Sequence, residues 1–409
     1  MPSAADSAPG DLVVVADRLW DGEQLHADRH ARVLVRGGRI AAVGRDVDTA
    51  WATTTVALPG HTLLPGLIDC HVHVLDEALV TEPIGVQVLW ALPAMRALLD
   101  NGFTTVRDLG SGDYSGSVDL RRAQAEGIVV GPRLITAPNL LSARGGHGEK
   151  EPALATRFGL RVGTLGDGVA DVVRRVREQA RAGADWIKFA AGGGFSSPAD
   201  DPAAVTYSQS EMDALVGAAH DLGLPCAVHA FNDEAVRRAV RAGVDSVEHA
   251  NLAGEETFAL LADRGVPLVP TLHGMAHFTG RLDDDEFWTG RLPLVRRKFR
   301  AHADRIRASA RLLADSDVTL VFGTDAGTFP HPDNWREFVD MVNAGIPPER
   351  VLRAATSGAA DLLKRPDLGR LRPGGVADLV AVPGDPLTTM DVMGRVDFVI
   401  QDGAVRTRP

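Results

Sequence analysis

Apolar positions follow three regimes along this chain. Near the start, short apolar runs at 11–16, 31–36 and 40–44 are separated by Asp21-Gly22 and Gly37-Gly38. Runs broken by such turn pairs predict short strands. The end of the chain repeats the pattern at 377–382 and 396–400, before Asp402-Gly403. Neither end suffices for a stable sheet alone, so one small β-sandwich built from both termini, residues 1–58 and 369–409, is expected.

Between them, residues 59–368 alternate strand-like and helical runs. The strands are read at 62–70, 104–107, 133–136, 184–190, 224–230, 244–250, 266–271 and 318–325, with helical patterns such as 168–177 and 210–219 between. Eight β/α units predict an α/β fold, a closed (β/α)8 barrel with its site at the C-terminal strand ends. Residues 278–299 show no strand pattern. Their charges, at 283–286 and 296–298, predict a solvated helical excursion, with a cover over the site as the less favoured alternative.

The strand ends carry the chemistry. His71 and His73 close the first run, and side chains two apart on a strand point the same way. Two imidazoles converging there form half of a metal site, although 13 histidines also allow the spacing by chance. Later runs bear Lys188, His229, His249 and Asp325, each an ionisable group near the end of an apolar segment. Lys188 is the sharper clue. Of 43 basic residues only four are lysines, so this chain writes arginine where charge alone matters. A lysine in an apolar strand points to a need for an amine that can shed its proton. The alternative is an ordinary strand-end lysine paired with a carboxylate.

Composition narrows the class. Hydrophobic content of 45% and charged content of 24% are those of a globular protein, and a net charge of −11 argues against a nucleic-acid partner. Cys70 and Cys226 are too few for a disulfide framework, and each stands an odd number of positions from a candidate ligand, so both read as core residues. Residues 1–10 lack the basic and apolar regions of a signal peptide, and no apolar run reaches about 18 residues. A cytoplasmic protein without a membrane partner is expected.

Taken together, the chain resembles the amidohydrolase superfamily from about Leu12 to Gly403, the likeness running to its imidazolonepropionase-like and Xaa-Pro dipeptidase-like members. The motifs carrying it are 65–73, ending His71-Val72-His73, then Gly145-Gly146-His147-Gly148, Ile187-Lys188, Val228-His229-Ala230, Glu248-His249-Ala250 and 323–327 around Asp325. The resemblance implies two divalent metal ions. His71, His73 and Asp325 would hold the more buried one, and His229 and His249 the more exposed one. Lys188, carbamylated by carbon dioxide, would bridge them. Zinc is the expected metal, while manganese or cobalt also suits these ligands. A bridging lysine counts against deamination, because the deaminase branch works with one metal and lacks it.

The resemblance also implies a mechanism and a substrate class. Two cations bring a bridging hydroxide within reach of neutral pH, and Asp325 serves as general base and then acid. The expected reaction is amide C–N hydrolysis in a small molecule, of the dipeptide or N-acyl amino acid type. A cyclic amide, urea or carbamate, lactone or phosphotriester would suit the same centre. A non-catalytic scaffold is disfavoured, since all six ligand positions are filled. Among substrate contacts, His147 matches a substrate-contacting position, and Arg144 would pair with a substrate carboxylate. Tyr207 either donates to the reacting carbonyl or packs at the rim. His273 and His331 either line the pocket or face solvent. Phe231 departs from the polar residue that relatives often carry there, and a phenyl ring cannot hydrogen-bond an oxyanion. Barrels of this kind often pair, so a homo-oligomer is an open expectation.

Overall fold

The protein is seen here as a computed structural model, which describes residues 11–26, 31–47, 52–75, 79, 82–110, 116–149 and 163–407. The reading of residues 1–10 lies outside the described residues. Five strands come first: β1 (Leu12–Trp20), β2 (Leu25–His26), β3 (Ala31–Arg36), β4 (Arg39–Gly44) and β5 (Thr54–Pro65). Nine follow in the middle: β6 (Leu67–Val72), β7 (Phe103–Asp108), β8 (Arg133–Thr136), β9 (Leu140–Ser142), β10 (Thr164–Leu165), β11 (Ile187–Ala190), β12 (Cys226–Ala230), β13 (Ser246–His249) and β14 (Leu268–Val269). The last are β15 (Leu379–Pro383), β16 (Phe398–Gln401) and β17 (Ala404–Thr407).

Both ends of the chain contribute to one sheet, ordered β17-β16-β15-β5-β1-β3-β4 with β2 paired to β1. By hydrogen bonding its eight strands are continuous. The reason is β5. Its 12 residues are long enough to pair with β1 from Thr54 to Leu63 and with β15 from His61 to Pro65. Leu12, Val14 and Ala16 alternate into a core shared with Val33, Leu379 and Phe398, the two-residue period of a strand with one packed face.

The middle strands form two parallel sheets, β6-β7-β8 and β10-β9-β11-β12-β13-β14. Every residue of β6, β7, β11, β12 and β13 is buried, as parallel strands covered on both faces require. Two seams connect the sheets. The Thr136 carbonyl at the end of β8 accepts from Asp185 N at 2.8 Å and Trp186 N at 3.2 Å, just before β11. On the other side, Leu320 bridges Leu268 and Ala326 bridges Val72, both parallel. The run expected at 318–325 is joined to both neighbours by backbone hydrogen bonds, among them Val321 N to the Leu268 carbonyl and Cys70 N to the Phe322 carbonyl, each at 2.9 Å. The run expected at 266–271 keeps only two ladder residues.

The expected first strand, 62–70, changes sheet at Gly66. Gly66 N donates to the Asp378 carbonyl at 2.8 Å, while Leu67 N donates to Gly102 at 3.0 Å. The boundary expected at 58/59 therefore falls inside β5. Helices follow the strands and carry local start signals: Ser208 and Glu211 form a reciprocal capping box on Gln209–Asp221, and Asn232 caps Asp233–Ala242. No helix among the described residues is long and apolar enough to cross a membrane.

Gly66 leaves no room for a side chain. A Cβ there would collide with the Thr104 hydroxyl and lie 2.7 Å from Asp378 Cβ. Gly66→Ala should cost about 1–3 kcal/mol and lower the thermal midpoint by several degrees. An unchanged midpoint in a calorimetric scan would show that the sheets are not joined this tightly.

Candidate metal centre

His71 is the fifth residue of β6, and His73 follows the strand's last residue. His71 Nδ1 lies 2.9 Å from Glu248 Oε2, and His73 Nδ1 lies 2.5 Å from the Gly110 carbonyl. Both partners are acceptors, so each Nδ1 carries the proton and each Nε2 presents a lone pair. Those two Nε2 atoms face one oxygen, Asp325 Oδ1, at 3.4 Å and 3.1 Å. Among the described residues this trio is the one group of three whose candidate ligand atoms all fall within 4.8 Å of one another. Three electron-rich atoms converging in a buried site repel one another unless a cation lies between them. The donor set fits a divalent metal.

A second group adjoins it. The His249 ring lies 4.9 Å from that of His71 and 4.7 Å from that of His229. His249 Nδ1 is engaged by Thr271 Oγ1 at 2.8 Å, and His229 Nε2 by the Gly193 carbonyl at 3.2 Å. Lys188, on β11, has a buried amine without a hydrogen-bond partner. Burial lowers its pKa to about 8, against the pull of Glu248 and Asp325. Burial likewise holds His71 and His249 well below the usual imidazole range, keeping them neutral. A lone amine among neutral imidazoles suits modification to an anionic ligand.

The strand ends are strained where they meet the site. His249, Thr271 and Asp325 all have positive φ, at 79°, 49° and 63°. Non-glycine residues in that region cost roughly 1–3 kcal/mol each and persist where the surroundings hold them. The Glu337 carboxylate receives Leu272 N at 2.8 Å and His273 N at 2.6 Å, pinning the turn after Thr271. The buried Asp69 carboxylate takes the backbone amides of His71 and Thr324, each at 3.1 Å, and the Thr324 hydroxyl at 2.8 Å. It thereby ties the His71 strand to the Asp325 turn.

Above the cluster lies a cavity of about 350 Å³. His71, His73, Lys188, His229, His249 and Asp325 line it, together with His147 and Phe231. The His147 ring stacks on His229 with centroids 4.1 Å apart, and its Nδ1 lies 3.0 Å from Ser197 Oγ. Gly194 makes this possible, since a Cβ there would overlap the His147 ring. Phe231 stacks on His249 and meets His229 edge-on, both at 4.8 Å.

A family profile described as amidohydrolase matches residues 62–406. The chain belongs to the amidohydrolase family. Ochratoxinase of Aspergillus niger is 29% identical over 91% of this chain and 80% of its own length. A Xaa-Pro dipeptidase solved with methionine in its active site superposes with a TM-score of 0.88, at 32% identity over 97% of this chain and all of that one. A prolidase complexed with N-methylphosphonate-L-proline gives 0.87, at 32% identity over 98% of this chain and all of that one. This amidohydrolase is accordingly a hydrolase of carbon–nitrogen bonds, in a family that generally binds divalent metals.

Four expected substrate contacts stand elsewhere. Arg144 is half-exposed and ion-paired to Asp167, which holds it away from the cavity. Tyr207 is buried and donates to the Gly166 carbonyl at 3.0 Å. His273 turns to Asp340 at 2.6 Å and packs on Phe329. His331 Nε2 lies 2.9 Å from the His73 carbonyl, bracing His73 rather than lining the pocket. The segment 278–299 also differs from expectation. Its acidic residues are exposed, but Phe278, Trp288 and Phe299 are buried with Phe195, Phe231 and Met275 in one cluster beside the cavity. Lys298 is buried too, donating to Gly194 O at 2.8 Å, Ser197 O at 2.7 Å and Asp200 Oδ1 at 3.1 Å. The segment covers the site.

Arg107 and Glu248 were given no role from sequence. Arg107 on β7 donates to the Cys70 carbonyl at 2.6 Å, Ser246 Oγ at 3.2 Å and Glu248 Oε1 at 2.9 Å, all buried. The available signal was a charged residue inside each of two apolar strands. Removing one member strands the other charge, so Arg107→Leu should cost about 3–5 kcal/mol in urea unfolding. A loss below about 1 kcal/mol, typical of an exposed pair, would contradict this.

Proposed function

We propose that this enzyme hydrolyses an amide bond in a small molecule of the dipeptide or N-acyl amino acid type, with two divalent ions that His71, His73, His229, His249, Asp325 and a carbamate on Lys188 would hold. The observation that carries the reading is the pairing of two features. Three acceptors converge at His71, His73 and Asp325, and beside them a buried, unpartnered amine stands among His229 and His249. In this reading the parallel sheets and their seams form one closed (β/α)8 barrel with the terminal sheet docked beside it. The enzyme is cytoplasmic and needs no nucleic-acid or membrane partner.

His71, His73 and Asp325 would hold one ion, His229 and His249 the other, with Lys188 carrying the shared anionic ligand. Zinc fits the imidazole and carboxylate set best. When bound, such ions acidify water and polarise a carbonyl. Asp325 then accepts the proton of the attacking water and delivers it to the leaving nitrogen. An amide needs that delivery, because an amine anion leaves poorly. Phe231 offers the developing oxyanion no hydrogen bond, and His147 is held over His229 by Ser197.

The test is hydrolysis of N-acyl amino acids and dipeptides by protein reconstituted with Zn2+ in bicarbonate buffer. Asp325→Asn should lower kcat by at least about 10²-fold with an unchanged circular dichroism spectrum. Near-full turnover by that variant would refute its role as proton carrier. Lys188→Ala should reduce the metal content per chain, measured by plasma emission. Full retention of two ions would remove the bridging ligand from the account.

A further inference from the structure

Of the four lysines in this chain, Lys298 is buried as Lys188 is, yet it does not line the cavity. It belongs to the cover, near the start of the helix Pro293–Ala314. Its ammonium donates to the Gly194 carbonyl at 2.8 Å, the Ser197 carbonyl at 2.7 Å and Asp200 Oδ1 at 3.1 Å. An ammonium has three protons to give, so its bonding is complete. The Asp200 side chain is buried too. Such a pair is costly to desolvate, and complete bonding is the condition on which it persists. The three acceptors pin down the loop that follows β11, the strand bearing Lys188.

That loop in turn holds His147. Asp200 Oδ2 accepts from Gly194 N at 2.9 Å, and Oδ1 accepts the Ser197 hydroxyl. A carboxylate facing an ammonium has no proton to give. The serine therefore directs its own proton to Asp200 and turns a lone pair to His147 Nδ1, 3.0 Å away. Nδ1 must then carry a proton. Gly194 is the floor beneath the ring, close enough that a Cβ would overlap it. Phe299, the residue after Lys298, stacks on Phe195 of the same loop at 4.4 Å. Acceptor, floor and adjoining wall all depend on one helix of the cover.

We infer that Lys298 is a positioning residue: from the cover, through Asp200 and Ser197, it fixes a proton on His147 Nδ1 and seats that ring over His229 at the cavity wall. Seating the cover and orienting His147 are then one event, and a substrate that meets His147 binds well only beneath a docked cover. The kinetic consequence rests on the amide-hydrolase reading, whereas the proton position does not.

The test pairs a spectrum with kinetics on zinc-reconstituted protein. In a long-range proton–nitrogen correlation spectrum of isotope-labelled histidines, the His147 signal is assigned by its loss in His147→Gln. Wild type should show the proton on Nδ1. Ser197→Ala, which leaves every Lys298 contact in place, and Lys298→Met should both shift it toward the Nε2–H form. Should Lys298→Met fail to fold, its combination with Asp200→Asn removes the stranded carboxylate and takes its place. With N-acetyl-L-methionine as probe, both variants should raise KM roughly 3- to 30-fold and change kcat by less than about 3-fold. In the His147→Gln background, Lys298→Met should change KM by less than about 2-fold, because the two act as one unit. Absent turnover of dipeptides and N-acyl amino acids alike would remove the amide-hydrolase reading and leave the spectrum to decide this inference. A bare Nδ1 in wild type, or a His147 signal indifferent to Ser197 and Lys298, would overturn it. So would equal KM rises from Lys298→Met with and without His147→Gln.

Discussion

A buried arginine organises the centre of this molecule. Arg107 reaches across from β7 to grip Glu248 on β13, and Glu248 in turn grips His71 on β6. Taking such charges out of water costs several kcal/mol per ion unless every donor and acceptor is met. Here the demand is satisfied: Ser246 donates to Glu248 at 2.6 Å, the Cys70 carbonyl takes Arg107 Nε, and Trp186 lies under the guanidinium at 4.4 Å. The consequence reaches the chemistry. Because Glu248 holds His71 Nδ1–H, the lone pair on Nε2 must face Asp325. A structural ion pair therefore fixes the tautomer of a candidate metal ligand.

The same logic of holding a candidate ligand by its far side recurs around the site. The Gly110 carbonyl does it for His73, Thr271 for His249, and Gly193 for His229. Asp69 and Glu337 act one step further out, fixing the backbone turns that present His71, Asp325 and the loop after Thr271. Positive φ at His249 and Asp325 shows how much local preference is overruled there. The cover is held in a different way, by stacked rings and by Lys298 reaching the Gly194 and Ser197 carbonyls. Because Ser197 also touches His147, the cover and the site wall share one buried polar junction.

The candidate cluster was legible because a polar group at the end of a doubly buried strand is costly to bury unless it binds something. His71, His73, Lys188, His229, His249 and Asp325 all announced themselves in that way, and the structure gathers them around one cavity. The loop residues did not. Whether Arg144 meets a substrate or Asp167, and whether Tyr207 meets a carbonyl in the pocket or the one at Gly166, depends on loop paths that no periodicity encodes. In the cover, a run of acidic residues masked the aromatic positions that face inward. The continuity of the terminal sheet was hidden for a related reason, since a single long strand serves both termini and its length has to be seen in pairing. The scarcity of lysine proved more informative than expected, because Lys298 is buried as well as Lys188.

The central claim is that Lys188 joins two ions into one centre. Diffraction from zinc-loaded, bicarbonate-grown crystals, with anomalous maps recorded at the zinc edge, addresses it directly. The account predicts two peaks roughly 3.5–4 Å apart, as two-metal sites show. One should sit at His71, His73 and Asp325, the other at His229 and His249, with extra density on Lys188 Nζ reaching both. A single peak beside an unmodified lysine would contradict it.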